Sequence, residues 1–209
     1  MTGRYPTEVF GVGLHYGATD QSMPLLDTAL AAEERGFDSM FLPEHTHIPT
    51  SRRTPYPGGG DIPGRYLRLW DPLVALGFVA ARTNLVVGTC VCLPGEHDPI
   101  AMAKAVATLD VQSGGRFVMG VGFGWNNEEF EDHGYPAEHK RAVAIEKIKM
   151  MQALWTQDEA SFEGVLVAAI QEVSTEVGEG GAVLEEVVAD DEDRVGDGDD
   201  RFLLAAPRR

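Results

Sequence analysis

The sequence predicts an α/β protein built on a parallel sheet, and three observations carry that expectation. Short apolar runs free of charge alternate with stretches of helical period, four times over. Such alternation means strands joined by crossover helices. Two helical stretches open on Asp-Pro, at Asp71-Pro72 and Asp98-Pro99, where the carboxylate caps the helix and the proline occupies a first-turn position whose N–H needs no partner. The residue types that carry chemistry gather where the apolar runs end: His15, then Glu44, His45 and His47, then Cys90 to Leu93, then Gly122 to Asn126. In parallel α/β proteins ligands bind at the carboxyl ends of strands.

The elements follow in order. Phe10, Val12 and Leu14 alternate with Gly11, Gly13 and His15, which predicts a strand near 10–16. A helix near 23–35 has Leu26, Ala29, Leu30 and Glu33 in phase, Pro24 in its first turn and Gly36 as its stop. Residues 37–43 form the second strand, closed by Pro43-Glu44-His45-Thr46-His47. Ile48 to Leu69 holds eight prolines and glycines. It is too long and too broken for an ordinary connection, and such loops serve as lids or stay disordered. A helix from Asp71 to about Arg82, a strand near 85–93 and a helix from Asp98-Pro99 with Ile100, Ala103, Val106, Ala107 and Leu109 in phase come next. Ser113-Gly114-Gly115 turns into a strand near 116–122, and a long helix spans roughly 137–156. The expected sheet is parallel and in sequence order, with right-handed crossovers.

With 209 residues, 44% of them hydrophobic and 24% charged, the chain can bury a core. Its net charge of −16 argues against non-specific binding to nucleic acid or to anionic membranes. No window has the length of a membrane span and no signal peptide is visible at Met1 to Thr7. Cys90 and Cys92 point to one side of a strand, a poor geometry for a mutual disulfide, so a reducing cytoplasm is the expected location. From Gly164 the character changes: Val165 to Arg209 has no Lys, Trp or Tyr, and Glu185 to Asp200 is strongly acidic. Two units are expected, 1–164 and an acidic, partly disordered tail 165–209 with short elements at Val165 to Ile170 and Ala182 to Val188.

Several ordered motifs carry a resemblance. Phe41-Leu42-Pro43-Glu44-His45-Thr46-His47-Ile48-Pro49, Asp71-Pro72-Leu73-Val74-Ala75-Leu76, Leu85-Val86-Val87-Gly88-Thr89, Ser113-Gly114-Gly115-Arg116-Phe117, Gly120 to Asn126 and Ala153-Leu154-Trp155-Thr156 resemble bacterial luciferase-like monooxygenases over about residues 8–164. The branch they resemble is the actinobacterial group of oxidoreductases that use the deazaflavin coenzyme F420. The resemblance implies a (β/α)8 TIM barrel, of which this sequence carries the first four βα units, and hydride transfer between F420 and a small organic substrate. Monooxygenation with FMN is the alternative. A complete member has four more units, which include the part that holds the cofactor phosphate, and the tail does not resemble them. Its composition is that of GC-rich DNA read in another frame, so the second half is expected to be lost or out of frame and activity impaired. Acidic runs at Asp190 to Asp193 and Asp197 to Asp200 would repel an anionic cofactor lying near them.

The resemblance also assigns residues. His45, with Glu44, lies beside the cofactor ring as the group that moves a proton, a role suited to an imidazole. His15, Cys90, Val91, Cys92, Gly122, Gly124 and Asn126 are expected to contact the cofactor, the 90–92 segment as a bulge with a non-proline cis peptide, and Trp125 lines the substrate pocket. Sugar-phosphate dehydrogenases of the superfamily carry glutamate where Trp125 stands, which argues against that substrate. Arg52, Arg53, Arg65 and Arg68 in the long loop suit an acidic ligand or plain solvation.

Two other readings start from the residues. Gly120-Val121-Gly122-Phe123-Gly124 has the wrong spacing for a dinucleotide fingerprint. His45-Thr46-His47 would suit a metal-dependent hydrolase, but the third and fourth strands end in Cys92-Leu93-Pro94 and Gly124-Trp125 and supply no matching ligands; no metal is expected. A non-catalytic remnant that associates with another chain, a homodimer in the simplest case, is the remaining alternative, because a half-barrel leaves two strand edges open.

Overall fold

A computed structural model describes residues 11–174 and 202–205. Four parallel strands stand in sequence order: β1 (Gly13–His15), β2 (Ser39–Leu42), β3 (Val86–Thr89) and β4 (Phe117–Val121). The helices between them are α1 (Leu25–Glu34), α2 (Pro72–Ala80) and α3 (Pro99–Ser113). The short α4 (Asn127–Asp132) and the long α5 (Lys140–Thr156) follow β4. This is the (β/α)8-barrel arrangement in part, four of its βα units. The Asp-Pro starts act as expected: Asp71 accepts from Val74 N–H and Asp98 from Ala101 N–H, each at 2.8 Å. The strand expected at 10–16 is shorter, with Phe10 outside the described residues.

The core explains why the apolar runs are near-continuous. Met40 and Leu42 of β2, Val87 of β3 and Phe117, Met119 and Val121 of β4 are all buried. Helical residues close over them: Ala29, Leu76, Val79, Val106, Ala107, Met150 and Met151 belong to the same cluster. Strands covered by crossover helices read as uninterrupted hydrophobic sequence. No described helix is long and apolar enough to cross a membrane.

Two expectations change, and a third is not reached. Beyond α5, the expected element at Val165 to Ile170 is mostly irregular, because Val165, Leu166 and Val167 N–H donate to the Glu146 carboxylate. Ile170–Ser174 (β6) instead pairs antiparallel with Glu159–Phe162 (β5). The backbone of Phe202–Ala205 (β7) pairs antiparallel with β4, so the outer edge of β4, expected open, is occupied. The element expected at Ala182 to Val188 lies outside the described residues.

Candidate functional site

Parallel register puts the ends of β1 to β4 side by side. His15 is level with Phe41, Leu42 with Thr89, and Cys92 bridges to Val121 beyond the end of β3. Over these ends opens a cavity of about 1190 Å³ lined by residues of all four strand ends and of the long loop. One wall is the segment after β3. The Cys90–Val91 peptide is cis, and His15 Nε2 lies 3.0 Å from the Cys90 carbonyl. Gly122 faces Val91 so closely that a Cβ there would meet Val91 Cγ2 at 2.6 Å. Gly124 holds a φ of +71°, a conformation that favours glycine. The result is a wall of backbone and small side chains.

Opposite that wall stands His45. Trp125 Nε1–H donates to His45 Nε2 at 3.1 Å. Because an indole N–H is only a donor, Nε2 carries its lone pair and the proton sits on Nδ1. Nδ1 lies 2.6 Å from Glu129 Oε2. Glu129 is fully buried, and its Oε1 accepts from Thr46 N–H at 2.8 Å. The arrangement is a neutral imidazole whose tautomer and orientation are fixed from both sides, with an acceptor nitrogen on the cavity wall. His47 turns elsewhere, 3.0 Å from Asp132 Oδ2. The two histidines of the H-x-H motif therefore serve different carboxylates, and the described residues contain no cluster of three metal-ligating groups.

Glu44 lines the cavity but is committed to structure. Its Oε2 accepts from Leu93 N–H at 2.6 Å and its Oε1 lies 2.8 Å from His97 Nε2. Burial works against a charged His97, but the bond to Glu44 and its negative charge outweigh that and raise the imidazole pKa. Lys147 of α5 holds the turn after β3, donating to the Gly95 and His97 carbonyls at 2.7 Å each, and burial pushes its pKa down to about 8. Glu96, in the same turn, is buried, and its Oε1 has no hydrogen-bond partner. Burial, then the charge of Glu129, push its carboxyl up to about 9.

The long loop forms the rim. Tyr56 and Tyr66 meet each other, Trp125 and, through Tyr66, His45 in edge-to-face contacts with centroids 5.2–6.4 Å apart. A tether holds the loop down: Glu128 of α4 accepts from Ser51 Oγ at 2.9 Å, Arg53 N–H at 2.7 Å, Thr54 N–H at 3.2 Å and the Thr54 hydroxyl. Burial opposes its charge, but the bonds from Thr54 and Ser51 prevail and hold its carboxyl down at about 2. Of the four loop arginines only Arg65 lines the cavity. Arg53 pairs with Glu131, Arg68 pairs with Asp20 at 2.5 Å, and Arg52 donates to backbone carbonyls.

The structure thus brings His15, Glu44, His45, Cys90, Val91, Gly122, Gly124 and Trp125 to one cavity. Two expected cofactor contacts stand elsewhere. Asn126 is buried and its Oδ1 accepts from Glu128 and Glu129 N–H, capping α4. Cys92 is fully buried beneath the wall, where burial and then the charge of Glu44 push its thiol pKa up. Glu129, Glu96, His97, Lys140 and Lys147 were not foreseen. The cap spacing of Asn126-Asn127-Glu128-Glu129 would turn a glutamate back to the N-cap N–H, whereas Glu129 turns to His45 and Thr46.

The βα sheet thus gathers an oriented histidine, a glycine-bearing wall and an aromatic rim around one cavity at its strand ends. The luciferase-like monooxygenase family profile matches residues 8–180, and the chain belongs to that family. An uncharacterized protein of Mycobacterium tuberculosis is 45% identical over 162 residues, which are 74% of this chain and 57% of the relative. An F420-dependent glucose-6-phosphate dehydrogenase of Nakamurella multipartita is 37% identical over 144 residues, 67% of this chain and 39% of that protein. The chain therefore spans roughly half the length of the curated relatives it matches. Among solved structures, an F420-dependent secondary alcohol dehydrogenase in complex with an F420–acetone adduct aligns with TM-score 0.62 at 21% identity, over 80% of this chain and 48% of that one. The oxygenating constituent of a Pseudomonas putida diketocamphane monooxygenase in complex with FMN aligns with TM-score 0.60 at 19% identity, over 78% and 44%. At these identities the structures speak for the fold.

Proposed function

We propose that the chain supplies the ring side of an oxidoreductase site that takes the deazaflavin F420 and a small organic substrate, with FMN as the alternative cofactor. The observation that carries this is His45, held neutral with an acceptor Nε2 on the cavity wall by Trp125 on one side and Glu129 on the other. The residues present fit a flat tricyclic ring: His15, the Cys90–Val91 segment, Gly122 and Gly124 would hold it, and a side chain at Gly122 would collide with Val91. When bound, the cofactor ring supplies the hydride acceptor or donor. His45 takes the proton of a substrate hydroxyl at Nε2, or returns it in the reverse direction, as an imidazole near neutrality is suited to do. Glu44 positions the wall through Leu93 and His97. Trp125, Tyr56 and Tyr66 exclude water and favour an apolar substrate.

Arg65 and Lys140 are the cations among the described residues that line the cavity. A charge-assisted phosphate contact contributes about 1.5–3 kcal/mol, and an anionic cofactor tail needs several. The expected affinity of this chain for F420 is therefore weak, on the order of 100 μM. Fluorescence titration with oxidised F420, and separately with FMN, tests the reading. Saturable binding of F420 supports it and saturation by FMN alone favours the monooxygenase variant. A protein that takes up neither at millimolar concentration refutes the assignment.

A further inference from the structure

The Nδ1 side of His45 opens onto a row of hydrogen-bonding groups that leads away from the cavity. Glu129 Oε2 is 2.6 Å from Nδ1, and Glu129 Oε1 is 3.3 Å from Thr46 Oγ1. Thr46 Oγ1 is 2.9 Å from His133 Nε2. The row starts buried and ends exposed: the side chains of His45 and Glu129 are 6% and 0% exposed, that of His133 28%. Anchoring the loop after β2 would need one acceptor. Instead each group in the row can both take and give a proton, and the row ends at solvent.

We propose that Glu129, Thr46 and His133 form a proton path that connects His45 to solvent on the side away from the cavity. The proposal rests on the role given above to His45. With cofactor and substrate in the cavity, a proton taken at Nε2 has no way out through it. The resulting imidazolium passes its Nδ1 proton to Glu129 Oε2. A half-turn of that carboxyl group presents the hydrogen to Thr46 Oγ1, which accepts it and gives its own hydrogen to His133 Nε2. His133 releases its Nδ1 proton to water. His45 is thereby discharged, as its Nε2–H form, while the site is still filled. After product leaves, the path runs in reverse to return a proton to Nδ1, and the imidazolium so formed releases its Nε2 proton through the emptied cavity, which restores the resting tautomer.

The surroundings favour this direction. Burial first, then the charges of His47, His97 and Lys147, against the pull of Glu129, hold the His133 pKa below the usual imidazole range, which favours the neutral ring, and its Nδ1–H tautomer presents Nε2 as the acceptor. Glu96 Oε2 lies 3.1 Å from Thr46 Oγ1 and 3.9 Å from His133 Nε2. Kept protonated, it adds no second negative charge to trap the proton midway. His47 Nδ1, 3.1 Å from Thr46 Oγ1, offers a side exit, so Thr46 is the link both exits share.

The test is nuclear magnetic resonance of the full chain without cofactor, measuring exchange of the His45 Nδ1 proton with water. Thr46→Ser keeps the hydroxyl and is expected to exchange at the wild-type rate. Thr46→Val is expected to slow exchange by about tenfold or more with a native amide spectrum, in line with the size of positioned proton-transfer effects. Exchange in Thr46→Val within twofold of wild type overturns the path, as does equal slowing in both variants. If Thr46→Val loses its native spectrum, the double variant His47→Phe with His133→Phe, which closes both exits from Thr46, decides: slowing supports the path, and an unchanged rate overturns it. A failure of the cofactor titration would remove the reaction assigned to His45 and leave the exchange result standing.

Discussion

Replacing Glu128 with alanine isolates the tether between the long loop and α4. The carboxylate receives two backbone N–H groups, of Arg53 and Thr54, and the hydroxyls of Ser51 and Thr54. The hydroxyls can turn to water; the two N–H groups cannot turn. Stranding a buried donor costs about 1–3 kcal/mol, and the lower end applies at a loop rim, giving about 2 kcal/mol for the pair. That corresponds to roughly 30-fold greater opening of the loop. Trypsin reads it directly, because Arg52 and Arg53 lie in the tethered turn. Cleavage there is expected to be about 30-fold faster in Glu128→Ala, with the global unfolding midpoint little changed, since cleavage follows the population of the open form when reclosing is fast. The same tether responds to acid. Glu128 is held down at about 2, below its ordinary value near 4.5, so its contribution is complete above pH 4.5 and is lost as pH falls towards 2. Loop opening should rise over that window in the wild type and stay flat in the variant. Equal cleavage rates in the two proteins at neutral pH would refute the reasoning.

Two further variants probe the site itself. His45→Asn removes the acceptor nitrogen and should lower kcat by about 10²–10⁴ while the F420 titration moves by less than about threefold; a parallel loss of binding would make His45 a ligand contact and not a proton carrier. Gly122→Ala places a Cβ 2.6 Å from Val91 Cγ2 and should cost about 1–3 kcal/mol, seen as a lower Tm in thermal denaturation. An unchanged Tm would mean that the wall is softer than its geometry indicates.

Local signals in the sequence were read where local physics decides the structure. Asp71-Pro72 and Asp98-Pro99 set their helices because cap and first turn are adjacent in the chain. The apolar runs set β2 to β4 because one face of each strand is buried under helices and the other is at least half-buried. The wall of the site was legible for the same reason, since its residues follow directly on the strands. The second side of the site was not. Glu129 meets His45 across 84 positions, and Lys147 reaches Gly95 across 52; no spacing within the sequence announces either pair. Asn126 misled because an asparagine after a glycine-rich strand end suits a ligand contact as well as it suits a cap, and only the direction of its carboxamide separates the two.

On the role proposed for His45, the bond from Trp125 would set how the site discriminates. Nε2 is never bare: before any hydroxyl can reach it, an indole N–H must let go. A ligand is thus judged by exchange, on the difference between its own hydrogen bond and the one it displaces. A weak donor gains nothing by that swap, and water, small and mobile, gains little. A hydroxyl carried on an apolar body that also gives the displaced indole a surface to rest on gains most. On that role Trp125 would act less as a wall than as a resident rival for the base, and changing it to phenylalanine would widen the range of molecules that His45 meets.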